Sequence, residues 1–394
     1  MADALIVDVV RTPSGRGKPG GALSGIHPAQ LLATVLGALV QRTGIDPGAV
    51  DDVICGCVLP VRDQAFNIAR TGLLVAGFPE SVPGVTIDRQ CGSSQQAVHF
   101  AAQGVQAGAY DVAIACGVEQ MSGIPMPTPA MDAAPFGPLS ARYPSLPHQG
   151  IAAELIAARW GFEREELDAY AARSHRLAAA CAADGGFARE IVPVEVPGES
   201  CPVVVTSDET VRAATTPQSL AALAPAFRSE SVAARYPQLR WGITPGNSSP
   251  YTDGASAALI VSEAAAAYWG LTARARVSHL TVLGSDPEYM LTGPIPATRR
   301  LLERSGLSLA DVDAYEVNEA FASVPLAWAK ELGADPDRLN PRGGAIALGH
   351  PLGASGVRLL ATLVNHLEQT GGRRGLQTMC EGGGMANAMV VERL

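Results

Sequence analysis

The chain has 394 residues, 47% of them hydrophobic and 17% charged, a balance that excludes a disordered protein and exceeds what one ordinary core holds. Its formal charge of −9 excludes a basic field able to displace phosphate counterions, so nucleic acid is not an expected partner. Seven cysteines, at 55, 57, 91, 116, 181, 201 and 380, form no paired framework and point to a reducing compartment. Cys55 and Cys57 share a strand face, but no second cluster joins them, so no metal site is expected. No apolar run reaches the roughly 18 residues of a membrane span. Met1-Ala2-Asp3 opens no signal peptide and Val391-Glu392-Arg393-Leu394 is no peroxisomal signal, so a cytoplasmic location is expected.

In chain order, Ala4 to Val10 reads as an apolar strand and Pro28 to Val40 as a helix. Val53 to Leu59 and Val85 to Ile87 read as strands. After Cys91, residues Ala97, Val98, Ala101, Ala102 and Val105 keep a helical period that Gly108 ends, and Asp111 to Cys116 is the next buried strand. Such alternation predicts an α/β fold with a largely parallel sheet. Met121 to Pro147 is rich in Pro, Met and Ala without periodicity, which predicts a long irregular loop. A helical stretch, Ile151 to Ala183, breaks near Gly161 and leads to a second Pro-rich segment; loops this long are usually functional. Asp253 to Ser262 reads as a strand that returns to the first half.

The C-terminal part repeats the plan. Gly44-Ile45 and Val50-Asp51 match Gly306-Leu307 and Val312-Asp313 at a shift of 262 with no gap. The same shift lays Cys91-Gly92-Ser93 over Gly353-Ala354-Ser355, each opening a helix, and the strand ending at Cys116 lies two residues off the strand ending at Cys380. Two duplicated α/β halves packed about a pseudo-two-fold axis are therefore expected. Residues 1–120 and 250–270 form the first half, 121–249 an inserted loop domain, and 271–394 the second half.

The duplication brings candidate chemistry together. Cys91 stands at one helix start, and His350, in Gly349-His350-Pro351, just before the matching one. A helix N-terminus lowers a thiol pKa, and an adjacent imidazole takes the thiol proton. Read singly, Cys91 is either that nucleophile or a small buried hydrophobe, and His350 either a base or a core histidine. Cys380 opens Cys380-Glu381-Gly382-Gly383-Gly384, a loop whose backbone N–H groups could line an oxyanion; by itself the cysteine is as readily structural. Asn318-Glu319-Ala320-Phe321 follows the strand-like Tyr315 to Val317, at the strand end where α/β folds hold ligands.

These four segments resemble the four signature blocks of the thiolase family, in order and across nearly the whole chain. Asp88-Arg89-Gln90-Cys91-Gly92-Ser93-Ser94 resembles the nucleophile block, and Asn318-Glu319-Ala320-Phe321 the second. Gly349-His350-Pro351 and Cys380-x-Gly382-Gly383-Gly384 resemble the third and fourth. The resemblance implies a thiolase-like fold with central helices between sheets. It also implies thiolytic cleavage of a 3-ketoacyl-CoA, or the reverse condensation, through a Cys91 acyl-enzyme. His350 would deprotonate Cys91, and Cys380 would protonate the enolate and then activate CoA. His350 and a water held by Asn318 would form one oxyanion hole, the N–H groups of Cys91 and Gly382 the other. Coenzyme A enters as co-substrate, with no permanently bound cofactor, and the assembly implied is a homodimer or homotetramer.

For coenzyme A the resemblance selects His148 and Ser249, near the pantetheine, with Phe321 beside them. A loop histidine and a turn-capping serine are the bland readings of the first two. Leu223-Ala224-Pro225-Ala226-Phe227 matches a segment in which relatives carry arginine at the Ala224 position; Arg228 is the candidate replacement. Asp88 and Ser94 beside the nucleophile, Ala386-Asn387 after the triple glycine, and the C-terminal residues look more like thiolases of steroid or other bulky acyl-CoA breakdown. Two rivals stand: a decarboxylating ketoacyl synthase, whose second histidine would occupy position 318, and an inactive lipid-binding relative.

Overall fold

The structure, a computed structural model, describes residues 3–126, 128, 134–144, 146–198 and 200–394. The first part runs β1 (Ala4–Arg11), β2 (Gly15–Arg16), α1 (Pro28–Thr43), β3 (Asp52–Gly56), α2 (Ile68–Val75), β4 (Gly84–Ile87), α3 (Ser93–Gln106) and β5 (Val112–Gln120). Then follow α4 (Gln149–Trp160), α5 (Arg164–Ala183), β6 (Val194–Val196), β7 (Val203–Val205), α6 (Pro217–Ala221) and α7 (Glu230–Arg235). The remainder is β8 (Thr252–Ser262), α8 (Glu263–Trp269), β9 (Ala275–Gly284), α9 (Pro294–Ser305), β10 (Ala314–Val317), α10 (Ser323–Leu332), α11 (Ala345–Leu348), α12 (Ser355–Thr370), β11 (Arg374–Glu381) and β12 (Met385–Arg393). Part of the expected irregular stretch 121–147, namely 127, 129–133 and 145, lies outside the described residues, as do Met1 and Ala2.

The 262-residue repeat is a structural repeat: α3 begins at Ser93 and α12 at Ser355, and β3 begins at Asp52 and β10 at Ala314, both pairs 262 residues apart. Gly44 and Gly306 both cap the preceding helix in the left-handed conformation, with φ of 71° and 69°, where a side chain would be strained. In the first half β3 pairs parallel with β5, β5 antiparallel with β8, and β8 antiparallel with β1. β10, β11, β12 and β9 repeat that pattern. The halves are not separate sheets: β1 and β9 pair through Ala4↔Val277, Leu5↔Arg276 and Ile6↔Ala275, which joins the strands into one ten-stranded sheet.

The apolar periodicity explains the layers. α3 and α12 bury Ala97, Ala101, Val357 and Leu360 in one core with residues of β1, β5, β8, β9 and β12, so the two helices lie centrally between the halves. α1 and α2 cover the outer face of the first half, and α9 and α10, with α4 and α5, that of the second. Glycines let the centre close. A Cβ on Gly356 would stand 2.1 Å from the Gln95 backbone nitrogen, and one on Gly117 would stand 2.2 Å from Gly353 O. The buried Glu119 carboxylate then ties the halves: it accepts from Val58 N, Leu59 N and Gln64 Nε2 of the first half and from Gly353 N of the second. The sheet is mainly antiparallel rather than largely parallel, because only β10–β11, β3–β4 and β3–β5 pair parallel while β1, β8, β9 and β12 run antiparallel to their neighbours; several expected boundaries shift as well. β5 runs on to Gln120 because β8 pairs with it as far as Asp253, and β3 stops at Gly56 because the chain turns onto Glu119.

Candidate active site

Cys91 stands just ahead of α3, with Gly92 as N-cap. The turn before it carries Gln90 at φ 49°, a region that non-glycine residues seldom enter. Local bonds hold it there. Gln90 N donates to Asp88 Oδ1 at 2.6 Å, while Ser93 Oγ donates to Gln90 O at 2.6 Å and accepts from Arg89 N at 2.9 Å. Backbone strain kept by such bonds is common where a side chain must be presented to a substrate.

His350 leads into α12 and is 4% exposed. Its backbone N–H donates to Thr252 Oγ1 at 3.0 Å. Its Nδ1 lies 2.6 Å from Ser355 Oγ, and Ser355 Oγ donates its own hydrogen to Pro351 O at 2.8 Å. The hydroxyl therefore accepts from the ring, so Nδ1 carries the hydrogen and Nε2 keeps a free lone pair. Asn318, the residue after β10, places its Nδ2 at 3.4 Å from that Nε2. Burial, with the charge of Arg358 adding to it, holds the His350 pKa down to about 3, so the resting ring is neutral and its Nε2 is unprotonated at neutral pH.

Burial also pushes the Cys91 thiol up to about 12, with the nearby Glu381 carboxyl adding to the effect. Its place at a helix start predicts a lowered value instead. The helix terminus is present, but Cys91 is only 9% exposed, and loss of hydration outweighs the terminal N–H groups. The resting pair is thus a thiol beside a neutral imidazole, and the proton must leave as the sulfur attacks. Cys380, near the end of β11, is fully buried. Its pKa is raised by burial first and next by Cys91, so the two sulfurs lie within electrostatic reach of each other. A neutral thiol is the form a proton donor needs.

Cys91 and His350 open on one cavity of about 470 Å³, whose lining also includes His148, Ser249, Phe321 and Arg212. Asn318, Cys380 and Gly382 are not among the lining residues; Asn318 reaches the site through the His350 ring, and Cys380 lies within electrostatic reach of Cys91. His148 caps α4, its Nδ1 accepting from Gly150 N, and its ring centre is 5.4 Å from that of Phe227. Phe321 meets Phe227 edge-on at 5.9 Å, and Ser249 Oγ donates to Ala320 O at 3.1 Å. Arg228 is exposed and does not line the cavity; Arg212 is the arginine at its wall. Sequence reading missed Arg212, Thr252 and the bond from Ser355. Only the last had a signal, since Ser355 is the repeat partner of Ser93.

The Ser355 bond makes a prediction. Ser355→Ala frees the His350 ring to take the wrong tautomer, and losing one bond of about 1.5 kcal/mol corresponds to roughly tenfold. kcat should fall by that factor with KM little changed, in steady-state assays.

A thiol and a neutral base fixed in one tautomer at one cavity, with a second thiol nearby, are what acyl transfer through a cysteine requires. Residues 4–264 match the thiolase N-terminal domain and 271–393 the thiolase C-terminal domain. The steroid 3-ketoacyl-CoA thiolase FadA6 of Mycobacterium tuberculosis is 47% identical over 405 residues, covering 100% of this chain and 95% of that protein. A 3-ketoacyl-CoA thiolase of Marinobacter nauticus is 41% identical over 399 residues, covering 100% and 98%. The crystal structure of the Bacillus anthracis acetyl-CoA acetyltransferase superposes with a TM-score of 0.87 at 37% identity, covering 100% of this chain and 99% of that one. The chain belongs to the thiolase family.

Proposed function

We infer that the protein is an acyltransferase that cleaves a 3-ketoacyl-CoA with coenzyme A, or runs the reverse condensation, through an acyl group carried on Cys91. The observation that supports this most is that Cys91 and His350 line one cavity, with Asn318 Nδ2 at 3.4 Å from His350 Nε2 and Cys380 within electrostatic reach of Cys91. His350 Nε2 takes the Cys91 proton as the sulfur adds to the 3-keto carbon. The Cα–Cβ bond breaks, its electron pair becoming the enolate of acetyl-CoA, and Cys380 supplies the proton that completes the acetyl group. The Cys380 thiolate next removes the proton of an incoming CoA thiol, whose sulfur attacks the acyl carbonyl and releases Cys91. The imidazolium Nε2–H, with Asn318, faces the enolate oxygen, and the N–H groups of Cys91 and Gly382 face the tetrahedral oxygen.

His148, Ser249 and Phe321 are read as pantetheine contacts because they line the same cavity. Arg212 is the better placed cation for the nucleotide end than Arg228. The steroid-type relative supports a bulky acyl group as substrate. A homodimer or homotetramer fits the open edge at β4, where the sheet ends, and the exposed Phe66, Val85 and Phe100 of that half. A cytoplasmic site fits seven free cysteines, and among the described residues no helix is long and apolar enough to cross a membrane. Asparagine rather than histidine at 318, together with a second thiol, favours thiolysis over the decarboxylating reaction.

A panel of 3-ketoacyl-CoAs of increasing bulk, assayed for CoA-dependent product, tests the reading. The expected outcome is a kcat/KM that rises by at least roughly tenfold from acetoacetyl-CoA to polycyclic or branched substrates. Product formed without CoA and with release of carbon dioxide would establish the synthase reading instead.

A further inference from the structure

Glu381 has no part in the steps above, yet it lies at their centre. It ends β11, directly after Cys380, is 0% exposed, and neither carboxyl oxygen has a hydrogen-bond partner. Its carboxyl is wedged against the residue that follows Cys91: a Cβ on Gly92 would stand 2.1 Å from Glu381 Oε1 and 2.8 Å from Asn387 Nδ2. Asn387 Nδ2 in turn donates to Gly92 O at 3.0 Å, while Asn387 Oδ1 is without a partner. A buried group left unbonded in this way is costly, and above all when it is charged.

The surroundings show how that cost is limited. The groups facing Glu381 are Asp88, Arg89 and Cys91 from the turn ahead of α3, Cys380 from β11 itself, and the uncharged Asn387 from β12. Burial, with Asp88 adding and Arg89 opposing, raises the carboxyl to about 8. At neutral pH it is therefore mostly a neutral acid. Its charge appears only as pH climbs through that value, and a negative charge there opposes a negative charge on Cys91.

We propose that Glu381 is a positioning residue of this active site, a carboxyl kept neutral beneath the Cys91–Gly92 turn so that the Cys91 thiolate can form without a like charge behind it. The inference rests on the reading of Cys91 as nucleophile. It adds an upper pH limit to the reactivity of that sulfur, set by a residue that touches no substrate. It also gives the Asn387–Gly92 bond a function: the turn is held by an amide on one side and a neutral acid on the other.

The test is the rate of Cys91 alkylation by iodoacetamide between pH 6 and 10, followed by mass spectrometry of the Cys91 peptide, on wild type and Glu381→Gln. The wild-type rate should climb with pH but less steeply between about 8 and 9, and the variant should climb without the break. The two rates should be equal at pH 6.5 and differ by about fivefold in favour of the variant at pH 9, for an interaction of about one pKa unit. A constant ratio across the range, or a variant slower at every pH, overturns the proposal. Should the glutamine variant fail to give a cooperative thermal melt, Arg89→Gln serves. Arg89 favours the carboxylate, so its loss should carry the wild-type break to higher pH, and an unmoved break counts against the proposal. If Cys91 takes up no label in wild type, it is the nucleophile assignment that fails; labelling with identical profiles removes only the role of Glu381.

Discussion

Cys91→Ala is expected to abolish acyl-enzyme formation and to lower kcat by at least roughly 10⁴-fold, the scale on which enzymes lose covalent catalysis. Among the described residues no other cysteine lines the cavity, and Cys380 is assigned to proton transfer. Cys380 is fully buried and is not among the residues lining the cavity. Because Cys91 is small and only its sulfur is removed, the fold should survive, and the thermal midpoint should stay within a few degrees of wild type. The remaining cavity should still bind coenzyme A. Stopped-flow and steady-state assays, with binding measured calorimetrically, separate these effects. A loss of kcat of less than roughly tenfold would show that the sulfur is not the nucleophile.

Cys380→Ala divides the reaction differently. Cys91, His350 and Asn318 keep their places, so the first attack and carbon–carbon cleavage can still occur, although the enolate must find its proton elsewhere. One slow equivalent of acyl-enzyme should then accumulate, and turnover should fall by roughly 10³-fold, the usual contribution of a well-placed acid–base group. Quenched-flow experiments should show a single-turnover product followed by near silence. The pH dependence also differs between the variants. Cys380 must be protonated to donate and deprotonated to activate CoA, so only its variant should lose the dependence that reports that exchange. Equal partial losses from the two substitutions would contradict the division of labour.

Much of this was legible in the chain. The matches of Gly44 to Gly306 and of Cys91-Gly92-Ser93 to Gly353-Ala354-Ser355 predicted two helices starting at equivalent places, and α3 and α12 start at Ser93 and Ser355. The resemblance in the segments around Cys91, Asn318, His350 and Cys380 named residues that the fold brings to one place, because each lies at an element end that points to the junction of the halves. What could not be read depends on packing between distant segments. The direction of the Cys91 pKa turned on burial under residues hundreds of positions away, which no local pattern encodes. Glu381 against Gly92 is such a contact too, and so is Arg212 at the cavity wall, carried on an irregular loop without periodicity. The joining of the halves into one sheet through three residue pairs was also invisible, since both strands read simply as apolar.

The chemistry depends above all on a covalent acyl group at one sulfur. Wild-type protein mixed with a 3-ketoacyl-CoA in the absence of free CoA, quenched in acid and digested, gives the most direct reading by mass spectrometry. The account predicts an added acyl mass, two carbons shorter than the substrate acyl chain, on the peptide holding Cys91, removed on addition of CoA. Steady thiolysis with no acyl mass on that peptide, or with the mass on Cys380 instead, would contradict it.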